Sequence, residues 1–377
     1  MNISYIANAR IPTEKAHGIQ IIKMCEAFAL SNKLELILPR RLNQIKDNPF
    51  SYYGLERTFK IKKLFCLDLI PFHKYLGHLG LWIESLTFFF SVLFYTIGKK
   101  VDIIYGRDSF LLLLSFFKKN LVFEAHTFPK NYFLYSPFFQ KLKGIVVITQ
   151  KLKDLFVEQG ISPLKIFIAP DGVDLEKFNI FETQKECRRK FNLPQDKKIV
   201  LYTGHLYGWK GAQVLAEASA YLPENVEVCF VGGTKEDIQE FSAQGESAPG
   251  GKNNIVGHRP YAEIPYWLKA ADVLVLPNSG KEEISKHWTS PMKMFEYMAA
   301  KRPIVASDLP SIREILNEEN AVLIEPDNPE ALARGVKEVL QEPQLFDKIV
   351  NRAFQGVQEY TWQKRVEKIL FFLNNLR

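Results

Sequence analysis

The sequence predicts an α/β protein made of two doubly wound parallel sheets, and three observations carry the prediction. Short apolar runs alternate with helical patterns along the chain, which is the sequence signature of βαβ units. The series plays twice, its second round opening at Ile199. A length of 377 residues is long for one hydrophobic core but suits two. A hydrophobic content of 47% with 24% charge is ordinary for a soluble globular chain, so composition argues for neither a fibrous nor a disordered class.

Asn2 to Ala7 is an apolar run ending in a loop with Gly18, followed by a helical pattern from Ile19 to Leu30. Strand, glycine loop and helix open a Rossmann-like unit. Gly-x-Gly-x-x-Gly is absent, which argues against a dinucleotide dehydrogenase. Leu34–Leu38 and Thr58–Phe65 read as further strands. Leu79 to Ile97 is the longest apolar stretch, but it holds Glu84, and its cleanest part, Leu86 to Ile97, is too short to span a bilayer. It reads either as a buried helix or as an interfacial one. The buried helix is the plainer reading, and Phe88-Phe89-Phe90, Phe94, Tyr95 and the following Lys99-Lys100 lend the interfacial one a little support. Val101–Tyr105, Leu121–Ala125 and Ile145–Thr149 continue the strand series. Ligands of doubly wound sheets sit beyond the carboxyl ends of the strands, which singles out Arg107-Asp108 and His126. Ile166 runs into Pro170-Asp171-Gly172, a turn signal, and the domain boundary is expected just after this segment.

In the second half Ile199–Thr203 is a strand feeding Gly204-His205-Leu206-Tyr207-Gly208-Trp209-Lys210-Gly211. The loop sets Lys210 beside a helix start, where an ammonium and backbone amides converge on a diphosphate. Val226–Val231 ends in Gly232-Gly233, and Asn254–Val256 precedes Gly257-His258-Arg259-Pro260. Ile264–Ala271 is a helix leading into the buried strand Asp272–Pro277, while Lys281–His287 is polar and mobile in character. Asn328–Leu340 and Pro343–Tyr360 read as surface helices, and Trp362–Leu376 as a final amphipathic helix.

Trp288 to Asp308 is the stretch around which the chain is organised. A Ser-Pro pair opens an apolar-periodic helix that ends at Lys301-Arg302-Pro303, and a strand, Pro303–Ser307, follows. Ser290 is the expected N-cap and Pro291 the first helical residue, where a missing N–H costs nothing. Unpaired amides at such a start hold phosphate. Lys293 in the first turn opposes the helix dipole, which a nearby anion would offset. Glu296, three residues on, shares its face. One face therefore offers amides and a cation to phosphates, then a carboxylate to two hydroxyls.

This stretch resembles the donor-binding helix of the family-4 retaining glycosyltransferases, enzymes of the GT-B fold. It is closest to a subset reading Ser-Pro-(Leu/Met)-Lys-(Leu/Met)-Phe-Glu-Tyr-Met-Ala. The resemblance is strong across Pro170–Leu316 and looser over residues 1–169. It implies two Rossmann-like domains facing across a cleft, with a C-terminal helix crossing back to the first. The expected limits are 1–175 for an acceptor domain, 176–360 for a nucleotide-sugar domain and 361–377 for the helix. By the same resemblance Glu296 binds ribose hydroxyls, and Gly18 lies near the donor diphosphate; the residues alone leave Gly18 as either a point of donor approach or a turn. His126 would face the reacting sugar, holding a hydroxyl rather than acting as general base. Asp171 and Gly172 would line the cleft, with Asp174 and Phe178 fixing the hinge. Gly204, His205 and Lys210 match a phosphate-binding loop in which His205 replaces the usual Arg. Arg259 would run beside the base, as a stacking partner or a plain surface arginine. Trp288 stands where the better-known pattern has a second Glu, and Lys301 where a Gly precedes the proline, so no sugar contact is assigned to Trp288.

Charge is uneven: residues 1–180 carry 24 Lys and Arg against 15 Asp and Glu, out of a chain total of +7. A basic first half points to an anionic partner such as a membrane surface or lipid-linked phosphate. Cys25, Cys66, Cys187 and Cys229 are scattered, as reduced core residues of a cytosolic protein would be, and no secretory leader is read at the start. The seven histidines show no metal-ligand spacing, so neither metal nor bound cofactor is expected beyond the co-substrate. The expectation is a cytoplasmic, membrane-peripheral, metal-independent transferase with a nucleotide-sugar donor and a glycan or lipid-linked acceptor. The alternative is a non-catalytic subunit of the same fold, kept open by Trp288 and His205. Nucleic acid is not an expected partner, since no recognised binding module is present.

Overall fold

The computed structural model describes residues 1–129, 132–245 and 253–376, which gather into two compact units. The first comprises Met1–Pro170 and the chain from Trp362 onward, the second Asp171–Thr361. The division falls inside the Pro170-Asp171-Gly172 turn.

The first unit is built on a seven-stranded sheet. Its strands are β1 (Asn2–Ile6), β2 (Lys33–Pro39), β3 (Lys60–Leu64), β4 (Ile103–Gly106), β5 (Leu121–Ala125), β6 (Gly144–Val147) and β7 (Ile166–Ile168). Their order is β3-β2-β1-β4-β5-β6-β7, with every pair parallel. The direction of winding reverses between β1 and β4, which opens a crevice at their carboxyl ends. Helix α1 (Ala16–Ala29) buries Ile21, Ile22, Met24, Cys25 and Phe28. Phe28 meets Tyr105 edge-on at 5.2 Å, and Tyr105 lies equally close to Tyr5, so helix and adjacent strands share one aromatic core. Gly18 lies inside the first turn of α1 rather than in a loop before it.

The apolar stretch forms α2 (His78–Ile97), which buries one face. Gly80, Glu84, Phe88, Val92 and Thr96 repeat every four residues and point inward, where Arg41 Nε donates to Glu84 Oε1 at 2.9 Å. Its other face is exposed and, after His78 at its start, apolar, with Leu79, Trp82, Leu86, Phe90, Phe94 and Ile97 in line.

The second unit has six parallel strands in the order β10-β9-β8-β11-β12-β13. These are β8 (Lys198–Thr203), β9 (Val226–Val231), β10 (Asn253–Gly257), β11 (Val273–Leu276), β12 (Ile304–Ser307) and β13 (Val322–Ile324). Alternate residues feed two separate cores. Leu201, Cys229, Leu274 and Ala306 pack on one side, and Val200, Val228, Val275 and Val305 on the other. Burial on both faces explains why these strands read as unbroken apolar runs rather than alternating ones. Helices α3 (Ala212–Ala218) and α4 (Met292–Ala299) follow β8 and precede β12. The expected mobile segment 281–287 is instead partly a helix, Glu283–His287, because Ser285 is fully buried and bonded to Asn278 and Ser311. Strand β13, too short at three residues to show a period, had no sequence signal. The last helix, α5 (Trp362–Asn375), belongs to the first unit, where Phe372 stacks on Phe167 at 5.1 Å.

Candidate functional site

In the second unit the candidate groups gather beyond the carboxyl end of β8. Glycine backbones make this possible. Gly211 has φ +70°, and a Cβ there would lie 1.7 Å from the Pro277 carbonyl oxygen at the end of β11. Only glycine fits, so the Gly208–Lys210 turn is pinned against β11, with Ser279 N donating to Trp209 O at 3.0 Å. Gly232 presses on Gly204 in the same way, its virtual Cβ 2.4 Å from the Gly204 oxygen. Gly204, at φ +120°, faces the Lys293 ammonium across 3.9 Å measured from its own virtual Cβ.

Two ammonium groups meet at this spot. Lys293 Nζ is buried, has no hydrogen-bond partner among the described residues and sits 3.7 Å over the Tyr202 ring. Burial first, and then the charge of Lys210, hold its pKa well below that of an ordinary lysine. Burial likewise brings Lys210 down to about 8, while Tyr207 and Trp209 present their rings to its ammonium at 5.5 and 5.2 Å. Like charges so placed favour the neutral amines unless an anion joins them. Glu296, one turn along α4, is pushed up to about 7 by burial, against the Tyr261 hydroxyl that donates to it at 2.9 Å and the nearby Lys293. The site is thus poised for an anion on one side and for hydroxyl donors on the other.

His205 is held for this purpose from two sides. Asp237 Oδ2 lies 2.7 Å from its Nδ1, and the Tyr207 ring stacks on it at 4.8 Å. Burial raises the Asp237 carboxyl, yet its bonds to His205 and Thr234 outweigh this and keep it below the usual range. The imidazole thus stands fixed at the position where the resembling family carries arginine.

Several of the expected residues have partners within the chain, and one expected role changes. Ser290 does not cap α4: the N-cap is Pro291, without a side-chain bond, and Ser290 Oγ instead accepts from Asp171 N at 3.0 Å. Pro291 fixes the extended entry that points the serine away from the helix start, and both Asp171 and Gly172 are buried within this unit. Arg259 is exposed and lies over the ring of Trp267 at 5.8 Å, so its guanidinium already has an aromatic partner. Gly18 has its space taken from within the chain: a Cβ there would come 2.4 Å from Thr13 Cγ2 and 2.5 Å from the Tyr53 hydroxyl. That hydroxyl bonds both the N–H and the carbonyl of Thr13, so the close approach is by Tyr53.

In the first unit His126 is the visible end of a buried polar network that residue spacing did not reveal. Glu124, fully buried in β5, lies 2.7 Å from His126 Nε2 and accepts from Gln20 at 2.7 Å, Arg365 at 3.1 Å and the Tyr105 hydroxyl. Burial pushes Glu124 up, but Arg365, His126 and Tyr105 outweigh it and hold the carboxyl well below its usual range. An ionised Glu124 requires His126 Nε2 to be the donor, so that nitrogen cannot serve as a base. Arg107 joins through Gln20 at 3.0 Å. Glu124 was detectable as the one charge in Leu-Val-Phe-Glu-Ala, whereas Arg365 lies 241 residues away in the chain. Among the described residues no three His, Cys, Asp or Glu side chains gather as a metal site.

Comparison with known proteins places this geometry in context. Residues 197–342 match the family model described as "Glycosyl transferases group 1". TuaC of Bacillus subtilis (strain 168), a glycosyltransferase provisionally assigned to teichuronic acid biosynthesis, is 24% identical over 216 residues, 57% of this chain and 51% of that protein. D-inositol 3-phosphate glycosyltransferase 1 of Catenulispora acidiphila is 23% identical over 234 residues, 59% of this chain and 54% of that one. The alignments thus span about half the length of these relatives. Among solved structures, Anabaena HepE in complex with UDP and glucose superposes with a TM-score of 0.77 at 17% identity over the whole of both chains. The chain accordingly has the fold of the GT-B glycosyltransferase structures, two Rossmann-like units each built on a parallel sheet.

Proposed function

We propose that this protein is a retaining, metal-independent glycosyltransferase of family 4. It would move a sugar from a nucleoside-diphosphate donor to a glycan or lipid-linked acceptor in cell-surface polysaccharide or glycolipid synthesis. The observation that carries the reading is the pair of neighbouring half-buried lysines, Lys210 and Lys293, beyond the carboxyl end of β8, with Glu296 one turn along α4 from Lys293. A leaving diphosphate explains why both lysines stand there, and the ribose hydroxyls of its nucleoside explain the carboxylate one turn on.

Each group then has a task. The bond from the anomeric carbon to the diphosphate oxygen breaks as the acceptor oxygen bonds to the same face of that carbon. The acceptor proton passes to the departing phosphate oxygen. Lys210, Lys293 and His205 stabilise the negative charge that develops on the diphosphate, a task divalent ions perform in other enzymes. Glu296 accepts two ribose hydroxyls and fixes the nucleoside. His126, oriented by Glu124, holds a sugar hydroxyl.

The test is thermal unfolding against UDP, GDP, CDP, ADP and dTDP, with and without EDTA. UDP comes first because HepE was solved with it. A ligand at a hundred times its Kd adds about 2.7 kcal/mol, a shift of a few degrees. One nucleoside diphosphate should give that shift unchanged by EDTA, and the matching nucleotide sugar should yield a product with the donor's anomeric configuration by NMR. A shift abolished by EDTA removes metal independence, and inversion removes the retaining assignment. No response to any nucleotide removes the donor site.

A further inference from the structure

We propose that the exposed face of α2, with the lysines around its carboxyl-terminal end, docks the first unit on the surface of an anionic bilayer. Leu79, Trp82, Leu86, Phe90, Phe94 and Ile97 follow one another at steps of three or four and form a continuous ridge along the helix. Trp82 is 68% exposed and Phe94 72%, unusual values for large apolar residues set in line. No charged side chain interrupts the ridge, because the helix's single charge, Glu84, turns inward to Arg41 and Asn8.

That ion pair also decides how the helix meets the lipid. By length and composition α2 could cross a membrane. Crossing would pull Glu84 and its partners off the sheet and into hydrocarbon, whereas lying flat leaves the inner face packed and wets only the ridge with lipid.

The charges nearby select the kind of surface. Lys62 and Lys99 approach the Tyr95 ring at 5.6 and 3.8 Å, and Lys118 Nζ reaches the Ile97 carbonyl at 3.4 Å. Lys100 follows the helix, and Lys60 shares the Lys62 face of β3. Glu35 offsets Lys99, but Lys62, Lys100 and Lys118 have no carboxylate partner among the described residues. A second copy of the chain on this face would set lysine cluster against lysine cluster; phosphatidylglycerol-type headgroups neutralise it.

The experiment is co-sedimentation of the full chain with phosphatidylcholine vesicles, with and without phosphatidylglycerol, at low and physiological salt. The unmodified protein should bind the anionic vesicles and lose affinity with salt. Trp82→Ser/Phe90→Ser/Phe94→Ser should weaken binding at least about tenfold at an unchanged melting temperature, since all three side chains are exposed. Lys62→Gln/Lys100→Gln/Lys118→Gln should remove only the increment due to phosphatidylglycerol, about fivefold per lysine. Absence of binding at low salt, or aromatic-variant binding equal to the parent, would overturn the proposal. So would a lipid-free dimer that the aromatic variant dissociates, which would make the ridge a contact between chains. Nothing here uses the donor site, so nucleotide binding by these variants stays normal and the two readings fail separately.

Discussion

Lys293 is a residue placed against its own stability. Its ammonium is buried without a hydrogen bond among the described residues and shares the site with Lys210, and the Tyr202 ring offsets only part of that cost. Lys293→Met keeps the length of the side chain and removes the charge. We expect the ligand-free protein to gain roughly 1 kcal/mol by denaturant unfolding while diphosphate affinity falls at least about tenfold, the trade common at binding sites. Equal affinity would remove Lys293 from the phosphate contacts. A pH effect follows from Lys210, whose ligand-free pKa is lowered to about 8. A bound diphosphate favours the charged amine and so raises that value. Affinity should fall as pH rises through 8, by up to tenfold per unit for one proton taken up, and should also weaken below about pH 7, where Glu296 takes up a proton and no longer accepts both hydroxyls. Calorimetric titration in buffers of different ionisation enthalpy counts that proton. A Kd independent of pH between 7 and 9 would exclude Lys210.

At the scale of elements, α5 carries Arg365 into the first unit, and one guanidinium ties together three segments. It bonds Glu124 of β5 as well as the carbonyls of Ala169 and Pro170 that end the unit's first segment. Arg365→Met would leave the Glu124 carboxylate buried without its main counter-charge, a change that costs about 3–5 kcal/mol. Adding Glu124→Gln should recover most of that loss in urea unfolding, because a neutral amide needs no guanidinium. If the double variant is no more stable than the single one, the arginine acts through packing and its carbonyl bonds. The sequence showed that a strand ends at His126, since the run Leu-Val-Phe-Glu-Ala is short and apolar. That Glu124 takes the histidine's Nε2 could not be read there, because α1, β4 and α5 supply the other partners.

The whole molecule is two compact units, and the proposed donor residues Lys210, Lys293 and Glu296 lie in the second. If the units unfold in two calorimetric steps, a saturating nucleoside diphosphate should raise only the transition of Asp171–Thr361, by about 2.7 kcal/mol at a hundred times Kd. The Arg365 variant should lower only the other. An equal shift of both by nucleotide would place binding contacts in the first unit too.

Two doubly wound sheets, the positions of most strands and the candidacy of Lys210, Lys293 and Glu296 were legible in local pattern. Apolar runs of strand length and glycines at loop starts are short-range signals, and lysine and glutamate three apart on one helix need no partner to be noticed. Other roles were settled only by folding. Ser290 became the acceptor of a distant amide, Tyr53 filled the space over Gly18, and α2 kept one apolar face inside and one outside. Each depends on which segment arrives from elsewhere in the chain. Spacing along a sequence says which side chains share a face, but hydrogen bonding and burial depend on what stands opposite that face, and only tertiary packing supplies it.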